Sequence, residues 1–324
     1  MKQPGWINEG IILGNKFSAH KQNPFVHNLI NLFFFFLLSG AILALFWVSN
    51  FLSPILYLPL AIIGFAFCIH CSNILVAHEA AHHMFLISKN EKINLFWNRF
   101  FGWMVNIPLG IDFHEYYEEG HYIHHRKPVT PQDPEVCNPR TGSNFFNLAA
   151  KNLFIPGYPQ IIGILMGKGT DFECPVGSKS KVYWKGIRRL GFFWGVVLLT
   201  ILALGWSLLS LLAIFLSFQI LAFMRLFMAS RQHGGPLKTE NNFYLRNQTG
   251  FYPFRYFMEP FNINYHFDHH LNFNVPWYLL PKYHRELKGV IPQELQSFLF
   301  IKEPWKQISG NAPGIPDSLR PLTS

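Results

Sequence analysis

Hydrophobic positions along this chain gather into long unbroken runs, not into the alternating or three-and-four spacing of half-buried elements. Residues 29–48 and about 54–77 each reach the ~20 apolar residues that carry an α-helix across a bilayer. The joint between them, residues 49–53, has no charge. A third apolar block, residues 190–228, is too long for one crossing, and Gly205-Trp206-Ser207 breaks it at a tight turn into segments 186–204 and 208–228. The pattern predicts an all-α integral membrane fold with four transmembrane helices in two hairpins. Residues 94–111 are apolar and Trp-rich but carry Arg99, which reads as a helix lying in the membrane interface. Residues 144–166, broken by Pro156 and Pro159, read as a re-entrant or surface segment, and the last 20 residues, rich in Pro and Ser, as a tail.

Composition agrees with a membrane protein. Of 324 residues half are hydrophobic, 34 are Phe and only 14% are charged, against roughly 25% in soluble domains. The net charge of +9 does not point to nucleic acid, because the Lys and Arg residues are dispersed along a strongly apolar chain. All 27 of them fall outside the two short hairpin turns, so the positive-inside rule places both termini and the two long polar regions on the cytoplasmic side. Basic stretches such as Arg126-Lys127 and residues 179–189 read as this topology signal. The first 28 residues are polar and Asn-rich, so no cleavable signal peptide is expected. The expected organisation is a cytoplasmic N-terminal segment (1–28), a membrane domain (29–290) and a C-terminal cytoplasmic tail (291–324). Four cysteines, Cys68, Cys71, Cys137 and Cys174, make no paired framework; Cys68 and Cys71 read as small buried residues of the second span.

The chemistry lies in the histidines. Nine of the 15 fall in three clusters beside span ends: His78, His82 and His83 in HEAAHH, His121, His124 and His125 in HYIHH, and His266, His269 and His270 in HFDHH. At about 100° per residue, positions i, i+3 and i+4 share an arc of about 100°, so each HxxHH can present three imidazoles from one helix face. His78 and His82 stand about 40° apart, whereas His83 lies about 140° from His78. Eight or nine imidazoles exceed the three protein ligands of a catalytic zinc and suit two ions of higher coordination number. Imidazole suits Zn, Cu, Fe and Ni alike, so the donor set does not name the metal.

HEAAHH, HYIHH and NINYHFDHHLNFNVPWYLLPKYH, together with Asp133-Pro134-Glu135, resemble the histidine boxes of the membrane fatty acid desaturase and hydroxylase superfamily. The resemblance spans about residues 30–290. It implies a cytoplasmic helical cap holding a di-iron centre, with O2 as cosubstrate. A ferredoxin or cytochrome b5-type electron donor would supply it, and an unactivated C–H bond of a lipid chain would be oxidised. The family's further ligand after the fourth span, commonly in a Glu-His pair, falls on His233, with Gln232 where the Glu would stand. Ligating histidines usually give their other N–H to a carboxylate or carbonyl. Glu79 and Asp268, inside the boxes, are the expected partners, and His284 is either a further outer partner or a helix cap. Glu118, Glu119, Asp133 and Glu259 read as solvated loop residues, His70 as a satisfied buried histidine, and His20 and His27 as interfacial.

Two readings from other classes compete. HExxH alone fits a zinc intramembrane protease, with Glu79 as base and His78 and His82 as ligands, but that leaves the other clusters idle. A metal transporter calls for ionisable groups within spans, where only His70 qualifies. Within the oxidase reading, acyl desaturation leads, and a hydroxylase or ketolase of a lipid or carotenoid is the alternative.

Overall fold

The computed structural model describes residues 4–136, 138–159 and 181–316. Cys137, Cys174, the distal part of segment 144–166, the start of the basic stretch 179–189 and the end of the tail lie outside the described residues. In chain order the helices are α1 (Gly5–Gly14), α2 (Pro24–Val48), α3 (Pro54–Ala81), α4 (Glu91–Asn106), α5 (Gly120–Arg126), α6 (Ser143–Phe154) and α7 (Lys181–Ala203). They continue with α8 (Leu209–His233), α9 (Arg255–Met258), α10 (His266–Leu271), α11 (Leu280–Leu287), α12 (Gln293–Leu299) and α13 (Pro304–Ser309). A parallel pair of two-residue strands, β1 (Thr249–Gly250) and β2 (Phe300–Ile301), is the only sheet among the described residues.

Three of these helices, α2, α3 and α8, are long and apolar enough to cross a membrane. The expected fourth segment is helical as part of α7, but Lys181, Lys185, Arg188 and Arg189 occupy its first part. Residues 186–203 of the expected segment extend about 27 Å at 1.5 Å per residue, close to a ~30 Å hydrocarbon core. α3 is the central helix and packs against both α2 and α8. α2 turns Phe33, Phe36, Leu37, Leu43 and Trp47 outward, as a lipid-facing helix does. Its start is set by Asn23, whose Oδ1 accepts the backbone N–H of Phe25 at 2.9 Å ahead of Pro24 in the first turn.

Because α2 begins at Pro24, it takes in His27, which is fully buried and not interfacial. His27 Nε2 meets the Met84 carbonyl at 2.6 Å. Asn31 donates to the Phe85 carbonyl at 2.8 Å, and Asn98 of α4 accepts from the Phe85 N–H at 2.9 Å and donates to the Leu86 carbonyl at 2.7 Å. Three side chains thus satisfy the irregular backbone that follows the first histidine cluster. α4 behaves as an interfacial helix should, with Phe96, Trp97, Phe100 and Trp103 exposed and Asn94, Asn98, Gly102 and Asn106 turned inward. The described part of segment 144–166 is α6, lying along α8.

Both ends of the described chain pack into one cluster. Ile7, Leu13 and Phe17 meet Phe267, Leu271, Tyr283, Leu287, Leu295 and Leu299 over α10. The expected boundaries at 28 and 290 therefore cross continuous packing. At Gly14 a Cβ would stand 2.6 Å from Asn272, so only glycine lets α1 approach this closely.

Candidate metal centre

The first histidine cluster ends α3 in an unusual way. The helix widens into a π turn over Asn73–His78, a feature frequent at functional sites. It closes at once: His83 N–H bonds the Ala80 carbonyl at 2.9 Å and Met84 N–H the Glu79 carbonyl at 2.8 Å. That is the Schellman pattern, which needs a left-handed residue just past the cap. His83 fills that position with φ 57°. The backbone reversal carries its side chain away from His78 and His82, and its Nε2 stands 4.0 Å from Glu118. His83, expected as a ligand, therefore lies outside the centre.

The other nine histidines form two groups, within each of which the ligand nitrogens lie within 4.8 Å of one another. His78, His82, His121, His125 and His269 make the first; His124, His233, His266 and His270 make the second. The short helices α5 and α10 do not aim three rings at one point. Positions i and i+4 lie about 40° apart on a helix and i+3 about 60° to the other side. α5 thus gives His121 and His125 to the first group and His124 to the second. α10 does the reverse, giving His266 and His270 to the second and His269 to the first. Two HxxHH helices facing each other in this way build two adjoining sites, and His125 stacks on His270 where they meet, with ring centroids 4.1 Å apart.

Hydrogen bonds from outside orient the rings. His121 Nδ1 lies 2.8 Å from Glu135 Oε1 and His124 Nδ1 lies 2.9 Å from Asp133 Oδ2. His233 Nδ1 lies 3.1 Å from the Arg246 carbonyl. A carbonyl or ionised carboxylate oxygen can only accept, so the proton sits on Nδ1 of His124 and His233, and of His121 when Glu135 is ionised, and the Nε2 lone pair points inward. Inward nitrogens then crowd together. His121 Nε2 is 3.0 Å from both His82 Nε2 and His125 Nε2, and His125 Nε2 is 3.1 Å from His269 Nε2. In the second group His233 Nε2 and His266 Nε2 are 2.9 Å apart.

The residues fit metal ions. Two nitrogens bound at right angles to one ion at about 2.1 Å stand about 3.0 Å apart, whereas a tetrahedral pair stands about 3.4 Å apart. The observed spacings match the right-angled arrangement of an ion with more than four ligands. Both ring nitrogens of His78 and of His270 are buried without a hydrogen-bond partner, a costly state unless a cation takes a lone pair. Burial, reinforced by the neighbouring rings, holds His82, His121, His125, His266, His269 and His270 well below the ordinary imidazole pKa. They are neutral and available as donors. Burial opposes a charged His124 as well, but Asp133 overrides it and raises that ring. Asp133 itself is held at about 2 against its burial by His124 and two backbone N–H groups. Burial pushes Glu135 up to about 7.

The outer partners differ from those expected. Glu79 Oε1 is 3.6 Å from His78 Nδ1, beyond hydrogen-bond range. Asp268 accepts from Thr249 Oγ1 and pairs with His284 Nδ1 at 2.7 Å, so it fixes α10 and does not orient a ligand ring. Asp133 and Glu135 take that role, and Asp133 is fully buried instead of a solvated loop residue. The Asp-Pro-Glu triplet was their signal in the sequence. Glu259 is also fully buried; it pairs with Arg231 and accepts from Gln232 Nε2 at 2.7 Å. A carboxylate thus does stand beside Gln232, supplied from another segment. His70 is the satisfied buried histidine expected, 2.9 Å from the Met258 carbonyl, and Cys68 and Cys71 are buried and unpaired.

HExxH is one corner of a five-histidine group, not a three-ligand zinc site completed elsewhere. The family model for fatty acid desaturase matches residues 52–301. No curated protein and no solved structure gives a significant match to the chain.

Proposed function

Because this chain belongs to the fatty acid desaturase family, we propose that it is a membrane di-iron oxidoreductase that desaturates a fatty acyl chain with O2. The observation that carries this reading is the pair of adjoining, largely buried, all-histidine groups, whose His78, His82 and His233 close two helices long and apolar enough to cross a membrane. His78, His82, His121, His125 and His269 would hold one iron, and His124, His233, His266 and His270 the other. When bound, the irons supply the O2 chemistry needed to break an unactivated C–H bond. In balance, –CH2–CH2– and O2 with two electrons and two protons give –CH=CH– and two waters. A ferredoxin or cytochrome b5-type donor supplies the electrons.

The protein's own contribution is positional. Low pKa values keep His82, His121, His125, His266, His269 and His270 neutral, and Glu135, Asp133 and the Arg246 carbonyl orient three of the rings. Phe273 stacks on His82 with centroids 5.1 Å apart and shields the part-exposed edge of the first group from water. In this reading α7 supplies the fourth span, with Arg189 near its start paired to Asp112 at 2.9 Å. The cap and both termini lie on the cytoplasmic side. The lipid enters from the membrane, and no nucleic acid is involved.

Expression in a host of known lipid composition, followed by mass spectrometry, tests the reading. Loss of two mass units from an acyl chain is the expected result. A gain of sixteen selects hydroxylation, altered carotenoids with unchanged acyl chains select the ketolase or hydroxylase alternative, and no lipid change at all overturns the assignment.

A further inference from the structure

α8 carries two charged residues, Arg225 and Arg231. Arg231 is fully buried and neutralised by Glu259. Arg225 lies almost two turns deeper in the apolar helix, and among the described residues no carboxylate comes within ion-pair distance of it. An arginine within a span is costly and marks a functional contact by default. Its guanidinium donates to Asn73 Oδ1 at 2.8 Å, and the Tyr117 hydroxyl donates to the same oxygen. Both lone pairs of that oxygen are therefore used, while Asn73 Nδ2 is buried with no partner. Asn73 is only 5% exposed.

What remains unsatisfied is of one kind. Asn73 Nδ2 and the rest of the guanidinium are donors, so the group that completes the cluster is an acceptor. A plain methylene chain has none. The cluster also borders the metal centre: Asn73 opens the π turn that ends at His78, and the Tyr117 ring lies 6.4 Å from that of His121. Arg225 is half-buried, so part of its guanidinium side chain stays open to a further partner.

We propose that Arg225, Asn73 and Tyr117 form an anchor for an oxygen atom of the lipid substrate, beneath the five-histidine group. The proposal rests on the oxidase reading and narrows its substrate to a lipid with a hydroxyl, carbonyl or carboxylate oxygen a few carbon atoms from the C–H bond attacked.

The test uses the metal-loaded protein in detergent with three probes of equal length: hexadecane, hexadecan-1-ol and hexadecanoic acid. Binding is read as ligand-induced thermal stabilisation, and products by mass spectrometry. The oxygenated probes should bind about tenfold or more tighter than hexadecane, as a charge-assisted hydrogen bond allows. Alcohol over acid, or acid over alcohol, identifies which oxygen the anchor takes. Arg225→Met should remove the preference, and Arg225→Lys should restore part of it. Equal binding of all three probes by the unaltered protein, or a preference that survives Arg225→Met, overturns the anchor. Iron content measured on the same samples separates the two readings. Full iron without a preference defeats the anchor alone; a preference without iron or turnover leaves the anchor and defeats the oxidase.

Discussion

Asp133 holds His124. Its Oδ2 lies 2.9 Å from His124 Nδ1 and also accepts the Val129 N–H at 2.9 Å, while Oδ1 accepts the N–H groups of Glu135 and Val136 at 2.9 and 3.0 Å. Three backbone donors thus lock the carboxylate before it meets the ring. The turn that buries Asp133 also delivers Glu135 to His121, so one short loop orients a ligand in each histidine group.

Asp133→Asn should weaken metal binding in the second group by roughly 10–100-fold, the usual effect of losing an outer partner. An amide can turn its NH2 toward Nδ1, which moves the ring proton to Nε2 and points it into the centre. Competition with a chelator of known affinity measures the loss. Unchanged affinity would mean that the loop does not control the tautomer.

Division into two groups predicts separable metal loss. His78→Ala removes a ligand from the first group only, and His266→Ala from the second only. Each should lower the iron content of the purified protein to roughly half, to the extent that neighbouring sites act independently. His83→Ala should leave the iron content unchanged, because its left-handed backbone turns it out of the centre. Elemental analysis of the three variants decides the matter, and loss of iron on replacing His83 would contradict the placement.

Periodicity in the sequence was enough to find three membrane-length helices and the three histidine clusters, because runs of apolar residues and repeated histidine spacing are local signals. The assignment of His124 and His269 to groups opposite their helix neighbours was not legible. It depends on how α5 and α10 face each other, which no single segment encodes. His83 was misread because a Schellman closure at Glu79–Met84 breaks the helical geometry assumed for it. Asp133 and Glu259 were misread because charge suggests solvent, while the histidine that Asp133 holds and the arginine that Glu259 pairs with come from other segments of the chain.

The buried histidines give the metal-free protein a distinct acid response. An unfolded histidine titrates near 6.5, whereas six of the buried rings titrate well below that in the folded state. Below 6.5 the unfolded chain therefore binds more protons, and stability is lost as the pH falls. Glu135 acts in the opposite sense. Its folded pKa of about 7, raised from 4.5 by burial, makes the folded chain the better proton binder between those values. The raised His124 also favours low pH. Six rings outweigh these two groups, so the melting temperature in detergent should fall between pH 7 and pH 5. A flat or rising profile would show that the rings are solvated.

Arg231, two residues before His233, forms a fully buried ion pair with Glu259, and Tyr252 and Gln232 donate to the same carboxylate. Both charged side chains are 0% exposed. Replacing Glu259 by Ala leaves the guanidinium unpaired, a change that costs roughly 3–5 kcal/mol at buried sites. The same carboxylate ties the end of α8 to the segment leading into α10. The second group should therefore lose order before the first, because His233 and His266 come from those two elements, whereas His78 and His82 come from α3. Glu259→Ala should unfold at lower temperature and lose iron from the second group preferentially. Glu259→Gln, which keeps hydrogen bonds but not the charge, should retain more iron than Ala. Equal retention by Ala and wild type would show that the pair contributes nothing to the position of His233.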